Sequence, residues 1–175
     1  LFNFLDTHDT VRAILTAGNN DVLFQKLAFM FSLQGSVCLY YGTEIALCGT
    51  SEEYNRTCMP WNKIDAGEYA DIFKETKKLI ALRKTYPQLY SSKLKWITEH
   101  ENTHPRLIHI RKYAQRTDET AYIDIYLNAG SCVKIELPSD FCIIYSRLFA
   151  DGILKNGGIL FVKISAHNLQ SVPKE

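Results

Sequence analysis

Residues 2–12 read FNFLDTHDTVR, and this run decides how the first half of the chain is interpreted. Its first four residues are mostly apolar and are typical of the end of a buried strand. Two carboxylates, Asp6 and Asp9, follow at once, with the imidazole of His8 between them. Enzymes with parallel α/β sheets build their active sites from polar groups at the C-terminal ends of strands. The run therefore predicts a strand that ends in a catalytic or ligand-binding loop.

The stretch 34–45, QGSVCLYYGTEI, repeats this arrangement. Residues 37–41 form a short apolar run with β-branched and aromatic members, which predicts a strand covered on both faces. Glu44 follows three residues later, so polar groups again stand where a strand is predicted to end. Residues 42–65, which include the run Cys58-Met59-Pro60-Trp61-Asn62, have no periodicity and predict an irregular loop.

Each polar residue also has an ordinary structural interpretation. Asp9 could be a turn residue after a strand, since Asp is a common turn former. His8 could bond to backbone alone, and Arg12 could be solvated instead of holding a carboxylate through a bidentate pair. Aromatic residues such as Tyr41 pack in cores more often than they stack on ligands. By chemistry alone, Asp6 is as good a catalytic candidate as Asp9.

Taken together, the three segments resemble conserved regions of the α-amylase superfamily, glycoside hydrolase family 13. The resemblance is closest to the neopullulanase, cyclomaltodextrinase and maltogenic amylase branch, in which an asparagine-containing apolar strand leads into Ser/Thr-His-Asp-Thr-x-Arg. Residues 34–45 resemble the eighth barrel strand and its Tyr-Tyr-Gly-x-Glu loop, and Met59-Pro60-Trp61 resembles the segment beyond it. Two features depart from the pattern: no proline precedes this strand, and Thr43 replaces an acidic residue.

The resemblance implies specific roles for six residues. Asp9 would be the third catalytic carboxylate, which stabilises the transition state, and Asp6 would be a structural hydrogen-bond acceptor. His8 and Arg12 would contribute to binding the substrate. From the second segment, Tyr41 and Glu44 would line the same site, where Glu44 is an orienting acceptor and not a catalyst.

The family hydrolyses glycosides with retention, a reaction that needs a nucleophile and an acid/base about 5–5.5 Å apart. In the resembled enzymes these two carboxylates follow the fourth and fifth barrel strands, and both would lie upstream of Leu1. The resemblance thus implies part of a retaining α-glycosidase that acts on α-1,4-glucans such as maltodextrin, cyclodextrin or pullulan. This chain alone is expected to be inactive. The alternative is a non-catalytic carbohydrate-binding or interaction module.

Composition excludes several other classes of function. The 175-residue chain has a net charge of +1, which predicts neither a nucleic-acid partner nor attraction to an anionic membrane. No apolar run is long enough to span a bilayer. Its five cysteines form no Cys-x-x-Cys pair, so no disulfide scaffold is expected. Its histidines have no metal-ligand spacing, and neither a metal nor a cofactor is expected. Reduced thiols predict a cytoplasmic location. Because Leu1 stands inside a strand-like run, the native N-terminus is predicted to lie upstream.

The second half of the sequence changes period after Leu89. Alternating apolar and polar residues predict four strands, at 106–113, 121–128, 132–137 and 159–165. Turn residues separate them, and Asn156-Gly157 predicts a hairpin because it tolerates positive φ. Such spacing is typical of an antiparallel β-sandwich.

The predicted fold class is α/β plus all-β. Residues 1–90, with predicted helices at 22–33 and 69–86, would form the last quarter of a (β/α)₈ TIM barrel. Residues 91–175 would form a C-terminal β-sandwich. Two strands cannot close a barrel, so the apolar sides of the helix at 22–33 and the strand edges should be exposed. The chain by itself is therefore expected either to self-associate through this half or to leave it poorly ordered.

Overall fold

The computed structural model of the chain describes residues 1–48, 54–100, 102–114 and 121–164. The chain divides into two compact units, of which the first is Leu1–Thr85 and the second begins at Tyr86. This division lies a few residues before the predicted boundary after residue 90, because the short helix at Pro87–Tyr90 contacts strands of the second unit.

The first unit combines a pair of parallel strands with four helices. In chain order these elements are β1 (Phe2–Asn3), α1 (Ala13–Ala17), α2 (Asn20–Phe31), β2 (Ser36–Val37), α3 (Trp61–Asp65) and α4 (Ala70–Thr85). Strands β1 and β2 run parallel, with Phe2 opposite Ser36. Helix α2 begins at the predicted cap, where the side chain of Asn19 accepts a hydrogen bond from the backbone N–H of Val22 at 3.0 Å.

Both strands are shorter than the sequence predicts, at two residues each. The ladder continues for one more bond, in which the N–H of Cys38 donates to the carbonyl of Asn3 at 2.8 Å. Beyond it the chain turns away, and Gly42 takes a φ of +84°. A β-carbon at Gly42 would lie 2.7 Å from Nη2 of Arg12, so glycine is required there by space as well as by φ.

Helix α2 is buried on several sides, and α4 packs against it. The prediction that the apolar sides of this helix would be left exposed is wrong, because Leu23, Leu27 and Ala28 have no exposed surface. On α4, Leu79 is buried whereas Phe73 is 43% exposed.

The second unit is an antiparallel sheet preceded by a short helix. Its elements are α5 (Pro87–Tyr90), β3 (Leu94–Trp96), β4 (Leu107–Tyr113), β5 (Tyr122–Asn128), β6 (Val133–Lys134), β7 (Phe141–Ala150) and β8 (Ile153–Ile164). The strand order is β3-β4-β5-β8-β6, and β7 pairs with the other edge of β8. Since the described strands of this unit form one hydrogen-bonded sheet, a two-sheet sandwich is not confirmed.

The hairpin predicted at Asn156-Gly157 is wrong. The tight turn lies at Asp151-Gly152, between β7 and β8, where both residues have positive φ. Asn156 and Gly157 instead lie inside β8, at the place where this strand changes partners. Leu154 pairs with β6, whereas Gly158 pairs with β5. A β-carbon at Gly158 would lie 2.6 Å from the carbonyl of Lys155, so the irregular backbone there requires glycine.

Strand β5 lies at the centre of the second unit. Ile123, Ile125 and Leu127 are buried as the alternation predicts. The opposite face of the strand is buried as well, so that Asp124 and Tyr126 are each no more than 5% exposed. Within the described ranges, no helix is long and apolar enough to cross a membrane.

Candidate functional site

The loop after β1 is closed by its two threonines. The N–H of Thr10 donates to the carbonyl of Thr7 at 3.3 Å, and the N–H of Thr7 donates to Oγ1 of Thr10 at 2.8 Å. The N–H of Asp9 donates to Oγ1 of Thr7 at 3.2 Å. Because the backbone groups are satisfied within the turn, the side chains of His8 and Asp9 point outward, with 57% and 70% of their surface exposed.

The carboxylate of Asp9 is held from both sides. Nε2 of His8 lies 3.1 Å from Oδ2, and Nη2 of Arg56 donates to Oδ1 at 3.2 Å. Arg56 belongs to a 3₁₀ turn, Tyr54–Arg56, far along the chain. Sequence reasoning missed this residue. The one available signal was a basic residue just before the run 58–62, in a segment with no periodicity.

Beneath the exposed groups lies a buried ion pair. Asp6 is 2% exposed, and it accepts hydrogen bonds from the N–H of Ala13 at 2.9 Å and from Oγ1 of Thr43 at 2.6 Å. This confirms the predicted structural role of Asp6. Nε of Arg12 lies 3.5 Å from Oδ2 of the same carboxylate.

Arg12 is 1% exposed, so the solvated interpretation of this residue is wrong. Its Nε donates to the carbonyl of Leu47 at 3.3 Å and its Nη2 to the carbonyl of Tyr41 at 2.6 Å. A side chain in this position fastens the loop after β1 to the loop after β2. Almost none of its surface is exposed.

The rings of Tyr40 and Tyr41, the paired tyrosines, lie next to the guanidinium of this arginine. The guanidinium carbon of Arg12 lies 4.8 Å from the ring centre of Tyr40 and 5.6 Å from that of Tyr41. The two rings meet edge to face at 4.6 Å. Tyr41 is 37% exposed and Tyr40 is half-buried, so these rings are neither fully core nor free platforms.

Glu44, the remaining predicted site residue, and Trp61 of the third matched segment belong to the same unit. Glu44 is half-buried in the 3₁₀ turn Thr43–Ile45, and its carbonyl accepts from Oγ1 of Thr76 at 3.4 Å. Trp61 begins α3 and is 64% exposed. Over the described part of the chain, no group of three or more His, Cys, Asp and Glu side chains could hold a metal ion.

This arrangement offers hydrogen-bonding groups of the kind that hydroxyl-rich ligands need. An exposed, oriented carboxylate accepts hydrogen bonds from hydroxyl groups, and a neighbouring imidazole can donate to them. Parallel strands present their C-terminal ends at one edge of a sheet, and the loops after β1 and β2 both leave from such ends.

Known proteins with similar sequences agree with the family resemblance described above. Over 85 residues the chain is 45% identical to the intracellular maltogenic amylase of Bacillus subtilis (strain 168), covering 48% of the chain and 14% of that protein. Over 142 residues it is 33% identical to the cyclomaltodextrinase of Geobacillus thermopakistaniensis (strain MAS1), covering 79% of the chain and 23% of the relative. The chain therefore spans less than a quarter of either relative. No protein-family model matches.

Solved structures agree with the sequence relatives. The crystal structure of maltogenic amylase from S. marinus matches 93% of the chain and 22% of its own length, with a TM-score of 0.73 and 26% identity. A cyclic α-maltosyl-(1→6)-maltose hydrolase from Arthrobacter globiformis matches with a TM-score of 0.72 at 21% identity, covering 94% of the chain and 35% of the neighbour. At this identity the match is evidence for the fold alone. These matches confirm the resemblance drawn from residues 2–62.

Proposed function

Because the chain resembles the C-terminal part of an α-amylase-superfamily enzyme of the maltogenic amylase and cyclomaltodextrinase type, we propose that it belongs to a retaining α-glycosidase. The substrate would be an α-1,4-glucan such as maltodextrin, cyclodextrin or pullulan. Asp9 would stabilise the transition state, and the nucleophile and acid/base would come from the rest of the enzyme. The observation that carries this proposal is the exposed Asp9 carboxylate, held between His8 and Arg56 beyond the C-terminal end of β1.

The chemistry follows from the charge that develops during the reaction. Glycoside cleavage passes through an oxocarbenium-like transition state, in which the sugar ring flattens and becomes positive. A fixed carboxylate that accepts hydrogen bonds from sugar hydroxyls binds this state more tightly than the ground state. Asp9 fits the role because its oxygens face solvent while its backbone is fixed by the threonine turn.

We propose roles for the other predicted residues from their exposure. His8 would bond to a sugar hydroxyl beside Asp9, since its ring is accessible. Glu44 would be an orienting acceptor. Arg12, which is buried, and Tyr41, whose hydroxyl is engaged by backbone, would support the site and not contact the sugar directly.

For the architecture we propose that the first unit is the last quarter of a (β/α)₈ barrel. The parallel pairing of β1 with β2, each followed by helices, supports this assignment. The second unit would be the C-terminal β-sandwich domain of the enzyme, for which the antiparallel sheet is the support. We further propose a cytoplasmic location, on the free cysteines among the described residues and an intracellular relative.

The direct test is Asp9→Asn in the full-length protein that contains this chain. We expect kcat on maltodextrin to fall at least about a hundredfold with little change in KM, because the lost contact strengthens mainly in the transition state. The 175-residue chain alone should hydrolyse nothing, since only one of the three catalytic carboxylates matches its sequence.

Asp65→Asn is the matched control, because this exposed aspartate stands at the end of α3 in the same unit. It should leave both kinetic constants unchanged. If Asp9→Asn behaves like the control, Asp9 is an ordinary turn residue and the proposed function loses its support.

A further inference from the structure

The hydroxyl groups of the paired tyrosines point to backbone carbonyls and not to open space. The hydroxyl of Tyr40 donates to the carbonyl of Asn55 at 3.2 Å. The hydroxyl of Tyr41 donates to the carbonyl of Thr57 at 2.9 Å. These two carbonyls flank Arg56 on either side. The backbone of Arg56 is therefore tethered immediately before and immediately after the residue itself.

The two tyrosines are in turn held in place by Arg12. Arg12 lies over both rings and donates to the backbone of Tyr41, and its own charge is held by the buried Asp6. Burial, followed by the neighbouring Tyr41, raises the pKa of Tyr40 above its usual range. A raised pKa favours the protonated hydroxyl, which is the form that donates to the carbonyl of Asn55.

Arg56 connects this tethered backbone to the carboxylate of Asp9. Its guanidinium reaches the Oδ1 atom of Asp9, while His8 reaches Oδ2. With one contact on each oxygen, the plane of the carboxylate is set as well as its position. An ion pair this exposed adds little to stability, because water and salt screen it. Its effect on orientation is the more important one, since a catalytic group must be held to within about 0.5 Å of its productive position.

We propose that Arg56 is a positioning residue for Asp9, and that the hydroxyls of Tyr40 and Tyr41 hold Arg56 in place for this purpose. The inference rests on the proposed function, because it presumes that Asp9 acts on the substrate. It also assigns the tyrosine pair a role in support of the site, in place of stacking on sugar rings.

The test uses the full-length enzyme with maltodextrin. Arg56→Gln should lower kcat about tenfold with KM nearly unchanged, because a misoriented carboxylate loses contacts made in the transition state. Arg56→Lys should restore part of the rate, since it keeps the positive charge but not the planar donor. Tyr41→Phe should have a smaller effect in the same direction, because the bond of Tyr40 to Asn55 remains. Lys63→Gln, which removes one cation from the exposed pair with Glu68, should change nothing.

Two further measurements separate positioning from a merely structural role. In the Asp9→Asn background, Arg56→Gln should cause no additional loss, because the group that it orients is gone. Raising NaCl from about 0.05 M to about 1 M should shrink the advantage of the wild type over Arg56→Gln, since the pair is exposed to screening.

The outcomes are distinguishable. A full effect of Arg56→Gln in the Asp9→Asn background means that Arg56 acts on its own, and this overturns the inference. A large effect of Asp9→Asn with none for Arg56→Gln and Tyr41→Phe overturns it as well, but leaves the proposed function intact. No effect of Asp9→Asn overturns the proposed function itself. Circular dichroism of each variant confirms that it is folded.

Discussion

At Asp6 a single buried carboxylate links three segments of the first unit. One oxygen accepts the first N–H of α1, from Ala13, and the other accepts the hydroxyl of Thr43. The same group is the counterion of Arg12. A negative charge at the start of a helix is favourable, and a buried arginine without a counterion is not. The site above this pair therefore depends on it.

We expect Asp6→Ala to destabilise the first unit by about 3–5 kcal/mol, because it leaves the guanidinium of Arg12 buried and unpaired. Thr43→Val removes one neutral hydrogen bond and should cost about 1 kcal/mol. Asp9→Ala makes the same chemical change as Asp6→Ala on an exposed side chain, and should stay within about 0.5 kcal/mol of the wild type. Urea unfolding of the 175-residue chain measures all three. Equal losses for the two aspartates would contradict this account.

At the scale of elements, β4 and β5 are joined by a charged cross-strand pair as well as by their ladder. Arg111 lies opposite Asp124, and Nε and Nη2 each donate to a different carboxylate oxygen at 2.8 Å. Burial by itself would raise the pKa of Asp124, but the guanidinium of Arg111, together with nearby His109, outweighs it and holds that pKa below its usual range. The carboxylate therefore stays ionised in the folded sheet.

A lowered pKa makes the contribution of this pair dependent on pH. It is fully present above the pKa of Asp124 in the unfolded chain, about 3.9, and is lost as the pH falls through the lower folded value. We expect Asp124→Asn to cost roughly 2–3 kcal/mol near neutrality. The difference from the wild type should shrink below about pH 4, as followed by thermal denaturation and circular dichroism. A difference that is constant from pH 7 to pH 2.5 would exclude this linkage.

Elements were predictable where one period dominates the sequence. Helix α2 follows from its cap and apolar content, and β4 and β5 follow from alternation. Strand β7 was not predicted because its register with β8 shifts twice, so that apolar residues pass from one face to the other. The ends of β1 and β2 depend on their ladder, which the sequence does not contain.

The residues of the candidate site also divide into those that the sequence predicts and those that it does not. His8 and Asp9 stand together in the sequence, so a local pattern finds them. Arg56 reaches Asp9 from 47 residues away, through a loop whose course depends on the tyrosine hydroxyls. No local pattern encodes such a contact. The sequence did not predict the burial of Arg12 either, because this burial depends on Asp6 and on carbonyls of the loop after β2.

For the whole molecule, the apolar surface at the start of the chain is the feature with the largest consequence. Leu1, Phe2 and Phe4 are 81%, 65% and 48% exposed. Strands β1 and β2 pair only with each other in the described structure, so each has a free edge. Helix α2, which was predicted to add to this surface, is already covered. Any association should therefore be centred on β1.

We propose that the 175-residue chain self-associates at micromolar concentration by bringing these β1 surfaces together. Each square ångström of apolar surface buried in this way contributes about 25 cal/mol. The double substitution Phe2→Ser, Phe4→Ser should give a monomer in sedimentation velocity, because it removes the aromatic part of the surface. Trp61→Ser is the matched control, since Trp61 is as exposed as Phe2 but lies on α3, and it should leave the association unchanged. A wild-type chain that remains monomeric up to about 100 µM would show that burial at 25 cal/mol per Å² does not offset the entropy of association here.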